Sequence, residues 1–431
     1  MARKMKNSGI EWIGEIPEDW EVVKNKYVFK RLKELVNNEW KSTQLLSLTT
    51  RGIIKKDINN LEGKLPESFS TYQLIDKGDL VLCLFDLDIS AVFNGLSPYY
   101  GMISPAYKRY VLKISGDIRY YNYLFAYVFS GRKYKNYSTT LRFTLDNQEF
   151  DRIATIKPSF REQTKIADFL DKKTNQIEQI KTAVKKEIQT LEDYKKSVIT
   201  EAVTKGLDKN AAMKDSGIEW IGKIPKKSKL SKLKYLVSSN ITDGTHQTPE
   251  YEDKENGYPF LSSKDITKGY IDWTDIKYVT KAVHEKLQKE TQVRRGDILL
   301  AKNGTTGIAA IVDTDKVFDI YVTLALIRSD EKKVIPEYLL YAINSLLSKK
   351  QFDEYLLGIG VPNLHLNLIK NTYVIVHDLK YQNQIVEYLD KKCTLIDDAI
   401  AGKRKQLETL EECKKSLIYE YVTGKKEATE C

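Results

Sequence analysis

The heptapeptide Ser-Gly-Ile-Glu-Trp-Ile-Gly occurs at residues 8–14 and again, letter for letter, at residues 216–222. Further along the chain, Leu-Asp-Lys-Lys at residues 170–173 recurs at residues 389–392. Matching stretches at nearly constant spacing show that one unit of about 210 residues is present twice. The sequence therefore predicts an internal repeat, with two copies of one fold in tandem.

The two copies agree well at their ends and poorly in their middles. A constant frame around a variable middle favours a shared scaffold that carries two different recognition segments. A duplicated domain whose middle has simply diverged remains the alternative.

Composition narrows the class of protein. The chain has 431 residues, a net charge of +10 and 42% hydrophobic residues, which is enough apolar material for packed cores. Its longest apolar run, residues 80–85, is far shorter than the ~18 residues that a membrane-spanning helix needs. The first residues lead into no apolar segment of a secretory signal, and the four cysteines are scattered. These features predict a cytoplasmic protein that does not associate with a membrane and has no disulfide framework.

Two segments read as long helices. Residues 161–204 contain no Gly or Pro and carry an apolar row repeated every seven residues, as expected for a coiled-coil seam. A similar row runs through residues 380–423, where Gly402 and Lys403 interrupt it, and Ala399 and Cys413 fill companion positions. The predicted seam residues are Ile166, Leu170, Ile177, Ile180, Val184, Leu191, Val198, Ile385, Leu389, Ile396, Leu410 and Leu417.

A helix with one apolar stripe must bury that stripe, and the equivalent helix of the other copy is a suitable partner. Antiparallel pairing of the two helices would relate the copies by a pseudo-two-fold axis. The alternative is that each helix packs on its own globular segment.

The remaining segments hold most of the Gly, Pro and aromatic residues, with short β-like runs after the Gly-Asp steps at residues 78–79 and 296–297. We expect mixed α/β domains there. The predicted organisation is a first recognition domain (1–160), a long helix (161–208), a second recognition domain (209–379), a second long helix (380–424) and a polar tail (425–431).

The basic excess falls mainly in residues 21–160, as expected for a domain that binds phosphates. Basic and aromatic residues interleave there, and polar loops at residues 242–249 and 302–307 of the second copy are typical recognition segments. A solvated surface and two ordinary turns remain the alternatives. The candidate DNA-binding residues are Arg51, Lys55, Lys56, Lys108, Arg109, Arg132, Lys133, Lys135, Thr245, His246, Lys264, Lys302, Asn303, Thr305 and Asn363.

Motifs for chemistry are missing from the sequence. It contains no phosphate-binding GxxxxGK[ST] loop, no GxGxxG, no Asn/Asp-Pro-Pro-Tyr stretch of a base methyltransferase and no HExxH metal motif. We therefore expect a binding protein with no catalytic residues and no metal ligands.

Several of these stretches resemble the specificity subunits of Type I restriction–modification enzymes. The two heptapeptides, continued to Ile-Pro at residues 17 and 225, are similar to the openings of that family, and the segments that follow Gln163 and Gln382 are similar to its helix starts. The globular segments resemble target-recognition domains at residues 51–52, 104–107, 243–246, 257–261, 296–299 and 362–364.

The resemblance implies two target-recognition domains, each of which reads one half of a two-part site in double-stranded DNA. It implies that the paired helices set the length of the unread spacer and dock two methyltransferase subunits, and that restriction/translocase subunits join the full complex. S-adenosylmethionine, ATP and Mg²⁺ are expected on those partners, with no cofactor on this chain. A coiled-coil scaffold that binds only protein, and a nuclease with an unrecognised site, are the competing hypotheses.

Overall fold

The computed structural model describes residues 3–58, 68–90, 93–356 and 363–428. The chain forms two compact units. The first unit consists of Met1–Val184 and Lys405–Cys431, and the second unit consists of Lys185–Arg404. Both boundaries fall inside long helices, so each unit includes one part of each long helix.

The first unit combines short strands with helices. Its strands are β1 (Met5–Asn7), β2 (Glu15–Pro17), β3 (Glu21–Lys24), β4 (Phe29–Leu32), β5 (Leu45–Thr49), β6 (Gly52–Lys56), β7 (Gln73–Ile75), β8 (Leu80–Leu82), β9 (Asn94–Leu96), β10 (Gly101–Ile103), β11 (Lys108–Leu112) and β12 (Ala154–Lys157). Its helices are α1 (Asn25–Val28), α2 (Ile118–Ser130), α3 (Asn147–Arg152) and the first part of α4 (Phe160–Lys205), with 3-10 turns at Asn37–Lys41 and Lys133–Tyr137.

Two four-stranded sheets form the body of the first unit. Their strand orders are β6-β5-β10-β7 and β4-β11-β8-β9, and β1-β2 and β12-β3 are two-stranded. The central strand β8 is fully buried, and α2 packs its aromatic face into the same core. An all-apolar strand is expected where both faces of a sheet are covered.

The second unit is built from a similar set of elements. Its strands are β13 (Met213–Asp215), β14 (Lys223–Pro225), β15 (Lys229–Lys232), β16 (Thr242–Asp243), β17 (Tyr258–Leu261), β18 (Lys277–Val279), β19 (Ile298–Ala301), β20 (Ala309–Ile311), β21 (Asp319–Ile320), β22 (Leu324–Ile327) and β23 (Tyr373–Val376). Its helices are α5 (Lys281–Glu290), α6 (Pro336–Ile343), α7 (Leu346–Leu356), α8 (Leu366–Asn371) and the first part of α9 (Leu379–Val422), with 3-10 turns at Leu233–Tyr235 and Ser263–Ile266.

Its sheets have the orders β16-β22-β19-β20 and β18-β17-β21, with β13-β14 and β15-β23 as two-stranded pairs. The fully buried β19 occupies the central place that β8 has in the first unit. Both units thus have the mixed helix and sheet content that the sequence predicts.

The Gly-Asp step before each central strand has the same structure in both units. The Asp79 carboxylate accepts a hydrogen bond from the Asp76 N–H (2.6 Å), and the Asp297 carboxylate accepts one from the Arg294 N–H (2.7 Å). Burial raises the pKa of the Asp79 carboxyl group. The repeat in the sequence therefore extends to individual hydrogen bonds.

Each long helix carries a buried glutamine in its first turn. The Gln163 amide donates to the Pro158 carbonyl oxygen at 2.9 Å, and its own oxygen accepts from the Asp117 N–H at 2.9 Å. Gln382 does the same with the His377 carbonyl oxygen (2.8 Å) and the Ile335 N–H (2.9 Å). These side chains fix the start of each helix to its globular unit.

Within the first unit, α4 and α9 lie side by side and run in opposite directions. Glu178 pairs with Lys414 at 2.8 Å, and Lys181 pairs with Glu411 at 2.5 Å. Because the residue numbers rise along one helix and fall along the other, this segment of the pair is antiparallel.

In the second unit, the parts of α4 and α9 that belong to it also lie side by side and antiparallel. Lys403 pairs with Glu187 and Lys195 pairs with Asp397, both at 2.6 Å. Lys403, which interrupts the apolar row in the sequence, therefore has a carboxylate partner on the facing helix. Among the predicted seam residues, Ile166, Leu170, Val184, Val198, Ile385, Leu389 and Ile396 are buried, whereas Ile177, Leu191, Leu410 and Leu417 are partly buried.

The assignment of Ile180 to the seam is wrong, because this residue is 44% exposed, and the companion residues Ala399 and Cys413 are exposed as well. The companion row of the α4 seam is displaced by four residues from the row through Ile177 and Val184. It includes Lys181 and Ile188, which are partly buried. Spacings of three and four alternate in a heptad, so one apolar row does not show on which side its companion lies. Lysine stems complete the row while their ammonium groups reach carboxylates on the facing helix.

Candidate nucleic-acid interface

The polar loops of the second unit meet next to the buried strand β19. The Val322 N–H donates to the Thr245 carbonyl oxygen at 3.0 Å, and the Lys302 N–H donates to the Thr323 carbonyl oxygen at 2.8 Å. The Leu364 N–H donates in turn to the Lys302 carbonyl oxygen at 2.9 Å. Residues 243–247, 262–264, 302–306, 321–323 and 363–364 are called the second-unit loop cluster below.

The sequence predicts binding residues in four of these segments, and the structure brings them together. Asn303 and Asn363 form an isolated antiparallel bridge, and the Ser263 N–H donates to the Thr323 hydroxyl at 3.0 Å. Thr245, Asn303 and Asn363 are partly buried, whereas His246, Lys264 and Thr305 are exposed. Amide and hydroxyl groups on a rigid frame are the groups that read base edges.

Lys302 has a different role from the one its sequence context predicts. It is only 5% exposed, and its ammonium group pairs with the Asp243 carboxylate. The other oxygen of Asp243 lies 3.2 Å from the exposed His246 ring nitrogen Nε2. The prediction that Lys302 contacts DNA is therefore wrong, because a buried lysine that compensates a carboxylate is not available to a phosphate. The pair joins two loops of the cluster.

Gly244 allows the loop at residues 243–247 to approach the end of strand β21. A Cβ atom at this position would lie 1.9 Å from the carbonyl oxygen of Ile320. Only glycine permits that approach of two backbones. The exposed Lys264, at the edge of the cluster, donates to the Asp275 carbonyl oxygen at 2.7 Å.

The first unit has a loop cluster at the equivalent place. The Leu145 N–H donates to the Leu84 carbonyl oxygen at 2.8 Å, as Leu364 does to Lys302 in the second unit. Two residues beyond Leu84, Asp86 has a φ of +49°, and the equivalent Gly304 has a φ of +72°. Residues 83–90, 104–107 and 132–145 are called the first-unit loop cluster below.

The chemistry of this first cluster differs from that of the second. The Asp86 carboxylate holds the guanidinium of the exposed Arg142 through two hydrogen bonds of 3.1 Å. The rings of Phe85 and Tyr107 lie 6.1 Å apart between the same loops. Reasoning from the sequence missed Asp86 and Arg142. An alignment of the two copies on the Gly-Asp steps at residues 78–79 and 296–297 would have placed Asp86 opposite Gly304.

Part of the basic run at residues 132–135 borders this cluster. Arg132 donates to the Leu87 carbonyl oxygen at 3.1 Å, and the Lys135 ammonium lies 4.2 Å from the centre of the Phe143 ring. Lys133 lies over the ring of Tyr127 at 5.2 Å. The candidates Arg132 and Lys135 are thus placed beside Asp86 and Arg142.

The prediction that Arg109 binds DNA is wrong. This residue is 5% exposed, and its guanidinium pairs with Asp79 and Asp76, both at 2.6 Å. The equivalent Arg328 pairs with Asp297 at 2.7 Å. Arg109 therefore stabilises the turn before β8 and does not face a ligand.

The other candidates of the first unit lie on different elements. Arg51 is exposed in the turn between β5 and β6, and Lys55 and Lys56 are exposed on β6, beside a groove of about 440 Å³. Lys108 is partly buried on β11, and burial, together with the positive charges of neighbouring basic side chains, lowers its pKa. Their role in binding stays a prediction.

The described residues contain neither a candidate membrane span nor a candidate metal cluster. No described helix is both long and apolar enough to cross a membrane. In the same part of the chain, no three His, Cys, Asp or Glu side chains are grouped so that they could hold a metal ion.

Comparison with known proteins shows which family part of the chain resembles. Residues 225–410 match the model of the Type I restriction modification DNA specificity domain, and this span contains the whole second-unit loop cluster. This part of the chain is similar to the DNA specificity domain of Type I restriction–modification systems.

Two proteins similar to this chain come from Methanocaldococcus jannaschii. The Type I restriction enzyme MjaVIII specificity subunit is 28% identical over 288 residues, which are 65% of this chain and just under two thirds (64%) of that protein. A protein provisionally named the type I restriction enzyme MjaX specificity subunit is 24% identical over 445 residues, which cover 96% of this chain and 95% of that protein.

A solved structure shares the fold of this chain. A chain from a study of complex assembly and conformational transition of the type I R-M system superposes with a TM-score of 0.70 at 14% identity. The superposition covers 95% of this chain and 99% of the other. At this identity the likeness concerns the fold alone.

Proposed function

We propose that this chain is the non-catalytic, DNA-reading subunit of a Type I restriction–modification complex, and that each unit reads one half of a two-part target. The observation that carries the proposal is the pair of loop clusters. They occupy equivalent places next to β8 and β19, yet one presents Arg142 and aromatic rings and the other presents amides and hydroxyls. Two loop clusters at equivalent positions, but with different side chains, suit a DNA target whose two halves differ in sequence.

The basic charge supports DNA as the ligand. The net charge of +10 attracts a polyanion, and phosphate contacts release counterions from DNA, which becomes less favourable as the salt concentration rises. Base contacts from the loop clusters would add specificity of about 1–3 kcal/mol for each good bidentate pair. We expect the affinity of this chain for duplex DNA to fall steeply with rising salt.

In this proposal the helices α4 and α9 act together as an antiparallel coiled coil that sets the unread spacer. Their 46 and 44 residues correspond to about 65–70 Å of helix axis. One turn of DNA advances about 34–36 Å, so helices of this length span about two turns and are long enough to hold two readers in separate major grooves. The ion pairs between the helices support a stiff connection.

The chemistry would belong to partner subunits. Methylation of a base in duplex DNA requires that the base be flipped out of the stack, which is the task of a methyltransferase. We propose that two methyltransferase subunits dock on this chain and bring S-adenosylmethionine. Restriction/translocase subunits would bring the ATP and Mg²⁺ that cleavage needs.

Mapping of methylated bases tests the proposal. DNA from cells that make this chain together with its methyltransferase subunit is compared with DNA from cells that lack only this chain. We expect methylation at one two-part motif, and only in the presence of the chain. Unchanged methylation in both samples would refute the proposal.

Two further variants separate the role of the helices from the role of the recognition domains. Insertion of seven residues at matched positions of α4 and α9 is expected to change the spacer and to leave both half-sites unchanged. Replacement of residues 21–160 by those of another family member is expected to change one half-site. A change of both halves in the second experiment would contradict the two-reader arrangement.

Binding measurements distinguish the two competing hypotheses. A scaffold that binds only protein would show no salt-dependent affinity for duplex DNA. A nuclease would cut DNA as the isolated chain with Mg²⁺ present, whereas the proposed subunit neither cuts nor methylates alone.

A further inference from the structure

Arg142 is an exposed side chain with an unusually fixed orientation. It is 80% exposed, yet its Nε donates to Asp86 Oδ1 and its Nη2 donates to Asp86 Oδ2, both at 3.1 Å. An exposed arginine ordinarily samples many rotamers, and ordering it costs entropy. The two hydrogen bonds hold the guanidinium plane in one orientation before any ligand arrives.

The hydrogen bonds also determine which edge of the guanidinium is free. Asp86 occupies the side edge, formed by Nε and Nη2. Within the described parts of the chain, no hydrogen-bond partner is found for the end edge, formed by Nη1 and the second N–H of Nη2. This edge presents two parallel N–H groups, which match the O6 and N7 acceptors of guanine in the major groove.

The backbone around this pair is held in a sparsely populated conformation. Asp86 has a φ of +49° and Phe143, next to Arg142, has a φ of +45°. The Leu87 N–H donates to the Phe143 carbonyl oxygen at 3.2 Å and so joins the two turns. Strain of this kind in non-glycine residues concentrates where a site must be pre-organised.

Two apolar side chains of the same loops face solvent. Leu141, which precedes Arg142, is 100% exposed, and Ile89, in the turn that follows Asp86, is 73% exposed. Neither contributes to a core of the described residues. Exposed apolar groups that flank a fixed donor suit contact with thymine methyl groups, which line the major groove beside base edges.

We propose that Arg142 reads one guanine of the half-site bound by the first unit, and that Asp86 acts as its positioning residue. This inference rests on the proposed function, because it needs duplex DNA at the first-unit loop cluster. It assigns the recognition of one base pair to the two N–H groups at the end edge of the Arg142 guanidinium.

Methylation mapping in cells tests this assignment through three variants, Arg142→Ala, Arg142→Lys and Asp86→Asn. In the Arg142→Ala variant we expect one guanine position of one half-site to become degenerate, with preference falling roughly 5- to 150-fold. The other half-site is expected to be unchanged. Lysine keeps the positive charge but lacks the two parallel N–H groups of the guanidinium. Arg142→Lys is therefore expected to lose the same preference for guanine while retaining the salt dependence of binding.

Asp86→Asn is expected to weaken preference at that same guanine, since Arg142 loses its charged partner. Arg295→Ala is the matched control, because Arg295 is also exposed and also pairs with an aspartate, Asp315, but lies before β19 and away from either loop cluster. The control is expected to leave the motif unchanged. Thermal unfolding of purified Arg142 variants is expected to match that of the parent, as the side chain is exposed.

An unaltered motif in Arg142→Ala would overturn the inference, and so would equal degeneracy in both half-sites. These results differ from a failure of the proposed function, in which the parent chain itself would direct no site-specific methylation.

Discussion

The hydroxyl of Tyr120 donates a hydrogen bond of 2.8 Å to the carbonyl oxygen of Val422, 302 residues further along the chain. Tyr120 lies on α2 in the core of the first unit, and Val422 is the last residue of α9. The equivalent Tyr338 donates to the Val203 carbonyl oxygen near the end of α4, at 3.1 Å. The helix that follows one globular segment therefore ends in the core of the other.

Tyr120→Phe should destabilise the first unit. The substitution removes the hydroxyl and leaves a buried carbonyl at a helix end without this donor, which costs about 1–3 kcal/mol. Chemical denaturation followed by fluorescence measures the effect. Tyr27→Phe, at an exposed tyrosine of the same unit, is the matched control and should change stability little. Equal stability of the two variants would show that the hydrogen bond contributes nothing.

Arg109→Ala should impair folding, not DNA binding. It leaves the buried Asp79 carboxylate without its partner, and breaking such a pair costs about 3–5 kcal/mol. We expect a lower unfolding midpoint or insoluble protein, whereas Arg51→Ala, at an exposed position, should fold normally. An Arg109→Ala protein of parental stability with weaker DNA binding would restore the role that the sequence suggests.

Lys302→Met should disturb only the half-site read by the second unit. Methionine approximates the lysine stem but leaves Asp243 uncompensated, so the two loops that the pair joins lose their fixed geometry. Methylation mapping should show a relaxed or lost half-site on one side of the motif. The double variant Asp243→Asn/Lys302→Met should recover part of the lost stability. Relaxation of the other half-site would contradict the assignment.

Charge reversal should expose the pairing of the helices in the first unit. Lys181→Glu and Glu411→Lys each place like charges opposite one another, and each should cost about 0.5–1 kcal/mol because the pair is partly exposed. The double exchange should recover only part of that loss, because a carboxylate at position 181 would lie beside Glu178, which now pairs with Lys181. A double-mutant cycle in chemical denaturation measures the coupling. A coupling energy of zero would mean that the two side chains do not interact in solution.

The same pair predicts a pH dependence of stability. The hydrogen bond from Lys181 lowers the pKa of Glu411 below the ordinary value of 4.5. A carboxyl group whose pKa is lower in the folded state stabilises the fold above pH 4.5, and this contribution is lost as the pH falls through the folded-state pKa. We expect Glu411→Gln to reduce the loss of stability that occurs as the pH falls below 4.5. A variant with the parental pH profile would exclude this carboxylate as a contributor.

The sequence alone was sufficient for the features that depend on local or periodic patterns. The repeated heptapeptide indicated two copies of one fold, and the row through Leu170 and Val184 indicated a long helix with one buried stripe. The polar loop after β19 could be singled out because it follows a buried strand directly. Such features need only the order of residues, since helix and strand periods are set by the backbone.

The roles of individual charged residues were decided by the tertiary structure. Arg109 and Lys302 look like surface cations in the sequence, but each faces an aspartate that is distant along the chain and becomes buried with it. Conversely, Arg142 became a candidate only when the fold placed Asp86 beside it. Burial and pairing depend on which distant segments meet, and a residue's own neighbours in sequence do not carry that information.

The sequence by itself determined that the chain contains two similar units and two long helices, because a repeat and a period are visible in one dimension. Only the tertiary structure decided that α9 ends in the core of the first unit and α4 in the core of the second. It also decided which lysines of α4 complete the buried row. The physical reason is that these outcomes depend on contacts between residues as far apart as Lys181 and Glu411, whose pairing lowers the free energy only when the fold has formed.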